Sequence, residues 1–286
     1  MKKILTVLFL VGISMLVFAQ DAERKYLPKT VNQYYGLSFL KIADPYLSPL
    51  MYDGNALTAK FNNRRFLLKD RTNLSFYNEL DVLLGLALNP ARTASMAVAG
   101  VNVGTGLHYH FAPLCGFQLL LGGVWDLDFN SKLISRNVNN PANIDLSTNL
   151  NASVFIRKHF PLFRRNVRLE LQLQSPFVGF MFVPENGASY YEMFSFNDSD
   201  LSKAFHMSSF HNKLAYKANF SFSFPFKYSE WQLGLHASNQ KHFANESLYI
   251  MQEYALTIGV TYDVYRFAGR KNKAPKNFIS TATNKE

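Results

Sequence analysis

The chain of 286 residues is poor in charge, has a single cysteine and has no long apolar run after residue 20. Charged residues make up 17%, whereas soluble domains usually carry about 25%. The lone Cys115 excludes an intramolecular disulfide framework and a cysteine-based zinc cluster. A membrane-spanning helix needs about 20 apolar residues, so the rest of the chain is not a helical membrane protein.

Aromatic residues are abundant instead, with 26 Phe and 15 Tyr. Such a content excludes a disordered chain, because disordered segments have few aromatic residues. The mean hydropathy is nevertheless only −0.08, so polar residues balance the apolar ones. The way in which the two kinds alternate therefore decides the class of fold.

The first residues are typical of a secretory signal peptide. A basic start, Met1–Lys3, precedes an apolar run over Ile4–Phe18, and Ala19 precedes the expected cleavage site. A membrane anchor is the poorer alternative, because the run is shorter than the roughly 20 residues a spanning helix needs. We expect a signal peptide at 1–19, an outer-membrane β-barrel domain at 20–267 and a basic periplasmic tail at 268–286.

The formal net charge of +10 is concentrated at the two ends of the chain. The signal segment holds +2 and the tail +4, which leaves +4 for the body. A short basic tail is usually solvated, and it can touch anionic surfaces. We expect no nucleic-acid partner for an exported protein of this kind.

Apolar and polar residues alternate with a period of two along most of the predicted barrel domain. One such segment alternates Val167, Leu169, Leu171 and Leu173 with Arg168, Glu170, Gln172 and Gln174. Successive side chains of a strand point to opposite faces, so each segment has one apolar and one polar face. The segments are longer than the usual five or six residues of a strand, and they suit the roughly 9–11 residues of a membrane-crossing strand.

Alternation alone does not separate a soluble sandwich from a membrane barrel, because each has one apolar face per strand. Aromatic residues near the strand ends favour the barrel, since their rings suit the boundary between lipid and water. These residues are Tyr109, Phe111, Trp125, Phe129, Phe155, Phe220, Phe222, Phe224, Trp231, Tyr262 and Tyr265. A sandwich with a core rich in Phe remains the alternative.

The connections favour the same class, because long and short ones alternate along the chain. We predict an all-β, antiparallel, up-and-down transmembrane barrel of about ten strands, with eight to twelve possible. The predicted strands are Asn32–Ile42, Leu57–Leu67, Leu74–Leu88, Met96–Phe111, Phe117–Phe129, Ile144–Ile156, Val167–Phe180, His211–Phe224, Trp231–Ser238 and Leu248–Val264. Long outer loops are expected to follow at Asn130, Pro184 and Asn239.

Charged residues of both signs fall on the predicted inner face. A barrel of about eight to ten strands has little free interior, and a buried unpaired charge costs several kcal/mol. We therefore expect a charge network that largely plugs the lumen, with a narrow channel as the alternative. The predicted network consists of Glu79, Asp81, Asp126, Asp128, Arg168, Glu170, Lys213 and Lys217.

One local pattern suggests catalysis. His236 and Ser238 share a strand face, so an imidazole could activate the hydroxyl, and Asn245 follows as a candidate orienting residue. The stretch resembles the His-x-Ser-Asn sequence of outer-membrane phospholipase A and lipid A deacylases, which implies an acyl hydrolase. Trp231 and Leu235 take the lipid face here, which favours a hydrogen-bonded lumen pair instead.

The remaining histidines do not predict a metal site. His206 and His211 form one grouping and His108 and His110 another, and neither has carboxylates at recognisable metal-ligand spacing. We read them as inward-facing barrel residues. No metal and no cofactor is expected, and a non-enzymatic role is favoured over catalysis.

The segment Tyr46-Leu47-Ser48-Pro49-Leu50-Met51-Tyr52-Asp53-Gly54 resembles the opening of a family of outer-membrane β-barrel proteins from Bacteroidota. The resemblance implies a barrel in the bacterial outer membrane, surrounded by outer-membrane lipid and lipopolysaccharide. The last predicted strand, up to Val264 and then Phe267, is similar to the signal that such barrels present to the barrel assembly machinery. The family carries no established activity, so the resemblance implies no catalytic residue.

Overall fold

The structure is a computed structural model that describes residues 29–68, 72–134, 141–162, 165–185, 190, 201–226, 229–264 and 281. The strands are β1 Lys29–Ala43, β2 Met51–Phe66, β3 Leu74–Leu88, β4 Ser95–His110, β5 Phe117–Ile134, β6 Ala142–Leu162, β7 Arg165–Phe182, β8 Phe205–Ser209, β9 Lys213–Pro225, β10 Glu230–Ala244 and β11 Ser247–Val264. A helical turn, α1 Leu201–Ala204, precedes β8. Within these ranges no helix is long and apolar enough to cross a membrane.

All of these strands belong to one closed antiparallel sheet. Consecutive strands pair from β1 to β8 and from β9 to β11, and the pairings of β1 with β11 and of β7 with β9 close the ring. Strands β8 and β9 both pair with β7, at Val178–Phe182 and at Arg168–Gln174, so they share one position in the ring. The predicted ten-stranded up-and-down barrel is confirmed, and the sandwich alternative is wrong.

The outer face is apolar and the inner face is mainly polar, as β10 illustrates. Trp231, Leu233 and Leu235 are 52%, 49% and 57% exposed. Gln232 and His236, which have the opposite parity on the strand, are only 3% and 4% exposed. A soluble sheet would bury the leucines. The reversed arrangement is the one that a sheet needs when its outer face meets hydrocarbon.

Several predicted loops prove to be strand. Strand β2 begins at Met51 rather than Leu57, and β5 contains Asn130. Strand β10 continues to Ala244, so the expected long loop after Asn239 is wrong. These strands extend past the apolar run because backbone pairing does not depend on which side chains face outward.

A two-residue turn replaces that predicted loop between β10 and β11. Asn245 and Glu246 have φ values of 48° and 57°. Positive φ at both central residues matches the right-handed twist of a hairpin, and asparagine tolerates this conformation well. The outer end of this hairpin is therefore tight.

The upper lumen is apolar on one side, which the polar-lumen prediction did not anticipate. The connection after β1, residues 44–50, folds inward, and its Tyr46 and Leu47 are buried against the inner faces of β1 to β5. This first outer connection therefore fills the outer mouth. The apolar cluster comprises Leu40, Ile42, Tyr46, Leu47, Tyr52, Ala56, Leu83, Ala87, Met96, Val98 and Ile134.

One predicted boundary aromatic lies inside the barrel. Phe155 is 2% exposed and packs with Tyr77, Leu120 and Val124 in the lower lumen. Its place among the outward aromatics was wrong, because it has the parity of the inward residues Ser153 and Arg157 on β6. Tyr265, the predicted signal peptide and the tail apart from Thr281 lie outside the described residues.

Replacing Leu235 by arginine should destabilise the barrel by about 2–4 kcal/mol, because it places a charge on the outer face at mid-height. The control is Asn239→Arg, on the same face but beyond the apolar run, with an expected cost of about 0–1 kcal/mol. The measurement is the free energy of unfolding in lipid vesicles from a urea titration. Equal costs at the two positions would contradict an outer face that meets hydrocarbon.

Candidate functional site: the charged lumen

The eight residues of the predicted charge network all contribute to the filling of the lumen. They come from β3, β5, β7 and β9 and meet partners from other parts of the wall. We describe them as a central, an upper and a lower cluster, ordered from the middle of the barrel to its two mouths. The first residue of β1 and the last residue of β11 lie at the lower mouth, and the connection after β1 lies at the upper mouth.

The central cluster is organised around Lys217, which reaches across the lumen from β9. Its Nζ lies 3.8 Å from Glu79 Oε1 and 3.6 Å from Asp126 Oδ2, and donates to Asn102 Oδ1 at 2.6 Å. These partners lie on β3, β5 and β4, so one ammonium group joins both sides of the barrel. Lys217 therefore spans the interior of the barrel at this level.

Glycine on β4 makes room for this cluster. A Cβ added at Gly104 would lie 2.7 Å from Glu79 Cγ, closer than carbon atoms pack. The absence of a side chain therefore allows the Glu79 carboxylate to lie against the wall and face Lys217. Gly100 and Gly106 of β4 have the same inward parity as Gly104 and also leave space inside the lumen.

Two further ionic contacts border the central cluster. Lys60 Nζ lies 3.2 Å from Asp81 Oδ2. Glu253 accepts a hydrogen bond from Ser38 Oγ at 2.7 Å, and its Oε2 lies 3.4 Å from His236 Nε2. Lys60, His236 and Glu253 lie outside the predicted network, although their inward parity was visible in the alternation.

The upper cluster is built on Lys132, whose side chain is completely buried. Its Nζ contacts carboxylates of Asp44 and Asp145, the second at 2.6 Å, and lies 4.2 Å from the centre of the Tyr249 ring. Asn143 Nδ2 donates to the same Asp44 oxygen at 2.8 Å. Because Asp44 belongs to the first outer connection, this ion pair fixes that connection in the mouth.

Tyr190 covers the upper cluster from outside. Its hydroxyl donates to Asn143 Oδ1 and accepts from the Ile144 amide, both at 2.7 Å. Burial raises the pKa of the Tyr190 phenol, so the group stays protonated as a donor. Tyr190 also packs edge-on against Tyr46, at 5.6 Å between ring centres.

The lower cluster contains three arginines. Arg157 Nε donates to Glu170 Oε2 at 2.7 Å, and Arg168 Nη2 lies 2.9 Å from Glu230 Oε2. Arg64 stacks over the Phe155 ring with its Cζ 3.9 Å from the ring centre. Arg168 and Glu170 were predicted as members of the network. Their partners Glu230 and Arg157 lie just outside the predicted strands, so these two ion pairs were not predicted.

The remaining predicted members have mixed surroundings. Lys213 donates to Ser147 Oγ at 3.1 Å and to Asn149 Oδ1 at 2.9 Å rather than to a carboxylate. Asp128 accepts from Asn130 Nδ2 at 3.2 Å. Amide and hydroxyl groups therefore share the role that the sequence analysis assigned to opposite charges alone.

Little empty space remains between these side chains. The central cavity measures about 90 Å³, and a smaller one of about 30 Å³ lies towards the lower mouth. Lys60, Asp81 and His236 line both cavities. A water needs about 10–15 Å³ of such space, so both cavities have room for water molecules.

Of the three hydrolase candidates, His236 and Asn245 have partners other than one another and Ser238. His236 Nδ1 lies 2.6 Å from Asn219 Oδ1 and its Nε2 faces Glu253, so neither ring nitrogen contacts the Ser238 hydroxyl. Asn245 lies in the outer turn, where its Nδ2 donates to the Val183 carbonyl at 2.9 Å. The pair also faces the lumen, away from any acyl chain on the outer face.

Of the other histidines, His108 and His110 face the lumen as predicted, whereas the inward position predicted for His211 is wrong, because it lies exposed in a turn. His108 lies 2.9 Å from Ser153 Oγ, and His110 lies 2.8 Å from Ser75 Oγ. His211 Nδ1 contacts the Ser209 hydroxyl beyond the outer end of the barrel. Among the residues that the structure describes, no three His, Cys, Asp or Glu side chains converge on a possible metal position.

The fold defines a class, the closed ten-stranded β-barrel of outer-membrane type. The model of a family described as "Protein of unknown function (DUF3316)" matches residues 4–271, and the chain belongs to that family. No curated protein matches the chain.

Three solved structures illustrate what the chain is similar to. The outer membrane protease OmpT from Escherichia coli has 6% identity and a TM-score of 0.45, over 86% of this chain and 99% of that one. The transport unit of the autotransporter AIDA-I from Escherichia coli has 10% identity and a TM-score of 0.42, over 89% of this chain and 97% of that one. The translocator domain of the autotransporter NalP from Neisseria meningitidis has 8% identity and a TM-score of 0.32, over 93% of this chain and 96% of that one. At these identities the likeness concerns the fold alone.

Replacing Lys132 by methionine should cost about 3–5 kcal/mol of unfolding free energy, because it leaves two buried carboxylates without their cation. Lys241→Met is the matched control, since Lys241 is exposed, and its cost should stay within about 0.5 kcal/mol. Adding Asp145→Asn to Lys132→Met should recover part of the loss. Urea titration in detergent measures all three, and similar values for Lys132→Met and Lys241→Met would refute the ion-pair anchor.

Proposed function

We propose that this protein is a non-enzymatic barrel of the bacterial outer membrane with a shut lumen. The observation that carries the proposal is the reversal of faces around the ring, with leucine and aromatic side chains outside and paired charges inside. An apolar exterior of this extent is unstable in water and stable in lipid. Export by the predicted signal peptide and membership of the Bacteroidota family remain part of the proposal.

The filled interior favours a structural or surface-binding role over transport. Side chains from both walls meet at Lys217, and the first outer connection occupies the outer mouth through Asp44 and Lys132. Function would then reside on the outer end of the barrel. Outer-membrane lipid and lipopolysaccharide are the expected surroundings, and the barrel assembly machinery is the expected partner during insertion.

The outer end offers an exposed apolar surface for such a role. Phe205 and Met207 of β8 and the following Phe210 are 52%, 56% and 64% exposed. They follow the longest connection between two strands, residues 183–204, in the chain. Large exposed apolar side chains are typical of protein or lipid contacts.

A narrow channel is the second candidate, because the two lumen cavities adjoin through Lys60, Asp81 and His236. The shut-lumen proposal predicts no stable unitary current from the wild-type protein in planar bilayers. Insertion should be verified in the same preparation by a heat-dependent change in gel migration. Reproducible current steps from verified, inserted protein would replace the proposal by the channel.

An acyl hydrolase is not supported by the geometry of Ser238 and His236, and kinetics can test the point directly. We predict that folded wild-type protein and Ser238→Ala hydrolyse a short-chain ester in detergent at the same background rate. Ser221→Ala is the matched control, because Ser221 also faces the lumen. Activity that is lost with Ser238→Ala and kept with Ser221→Ala would reinstate the enzyme.

A further inference from the structure

Thr281 belongs to the predicted C-terminal tail, yet it lies inside the lower mouth of the barrel. It is 4% exposed. Its Oγ1 donates to Thr30 Oγ1 at 2.6 Å, and its carbonyl accepts from Arg157 Nη1. The solvated tail expected from the sequence is therefore wrong at this residue.

The two contacts place Thr281 across the opening rather than on the rim. Thr30 lies at the lower end of β1 and Arg157 near the lower end of β6. Strands β1 and β6 are five positions apart in the ten-position ring, so they form opposite walls. A residue that bonds to both walls spans the mouth.

The side chains that hold Thr281 are fixed by other contacts. Arg157 is fixed by Glu170, which accepts from its Nε and Nη2, so Nη1 remains directed at the Thr281 carbonyl. Thr30 donates to Asp263 Oδ1 at 2.7 Å, which leaves its oxygen free to accept from Thr281. Pre-oriented groups bind a chain segment with less loss of side-chain freedom.

We propose that the lower mouth is a docking site for Thr281 of the chain's own C-terminal tail, which Thr30 and Arg157 hold there. The recognised chemistry is a backbone carbonyl for the guanidinium and a hydroxyl for Thr30. Docking at the lower mouth is independent of whether the outer end binds a partner.

Charge attraction does not account for this docking. The tail contributes +4, and the lower mouth already pairs Arg157 with Glu170 and Arg168 with Glu230. Buried hydrogen bonds are screened much less by salt than exposed charges are. Docking should therefore persist at high ionic strength, whereas a tail that binds anionic lipid would be released.

A disulfide trap tests the proposal in the full-length protein. With Cys115→Ser as background, the pair Thr30→Cys and Thr281→Cys should crosslink on mild oxidation, because the two native hydroxyls are in contact. The control pair is Val31→Cys with Thr281→Cys, since the next residue on a strand faces the other side. Mass spectrometry of the linked peptides reads the result.

A crosslink in the first pair and not in the second supports docking, at low and at high salt. Equal crosslinking in both pairs would overturn the proposal. The absence of a crosslink in a correctly folded variant with Thr30→Cys and Thr281→Cys would overturn it as well. Loss of the crosslink at high salt alone would also contradict hydrogen-bonded docking.

Thiol labelling provides a second test if the double variant does not fold. In Thr281→Cys, the introduced thiol should react with a water-soluble maleimide roughly tenfold or more slowly than Cys115, because it is protected until the segment undocks. Cys115 is exposed in a lower turn and serves as the internal reference. Equal labelling rates in folded protein would refute the docking site.

Discussion

A ring of backbone hydrogen bonds without an edge is the constraint on which the rest of the structure depends. In hydrocarbon an unpaired N–H or C=O costs several kcal/mol, so a sheet can lie in lipid only when its first and last strands pair. Here β1 pairs with β11 over their entire common length. Once the ring is closed, alternation assigns one side-chain set to lipid and the other to the lumen.

Closure creates a second requirement inside the barrel, where charges have little access to water. Lys217, Lys132 and Arg157 each meet carboxylates from other strands. Lys217 connects distant parts of the wall, whereas the Lys132–Asp145 and Arg157–Glu170 pairs join neighbouring strands. The shut lumen that we propose would follow from such pairing in a small ring, together with the mouth contacts at Asp44 and Thr281.

The sequence was sufficient for the class of fold because period-two alternation persists through segments such as 167–174. The same parity placed Glu79, Asp126 and His236 inside. It could not identify Lys132, because that residue falls in a stretch predicted to be a loop, where parity has no meaning. Nor could it foresee the inward path of Asp44, which depends on a partner 88 residues away.

Phe155 shows a different limit of sequence reasoning. An aromatic residue near a strand end suits either the lipid boundary or the lumen, and the parity that Phe155 shares with Ser153 and Arg157 decides for the lumen. In the structure it packs beneath Arg64, a contact between strands that no local pattern encodes. Contacts across the lumen are set by ring size and register, so the candidate site was predictable by residue but not by pairing.

Spin labels introduced one at a time from Trp231 to Ser238 would test the account most directly. Collision with oxygen, which concentrates in lipid, should alternate along β10 in reconstituted vesicles, high at Leu233 and Leu235 and low at Gln232, Gly234 and His236. An alternation of the opposite phase, or none, would contradict a barrel with its apolar face in lipid and its charges enclosed.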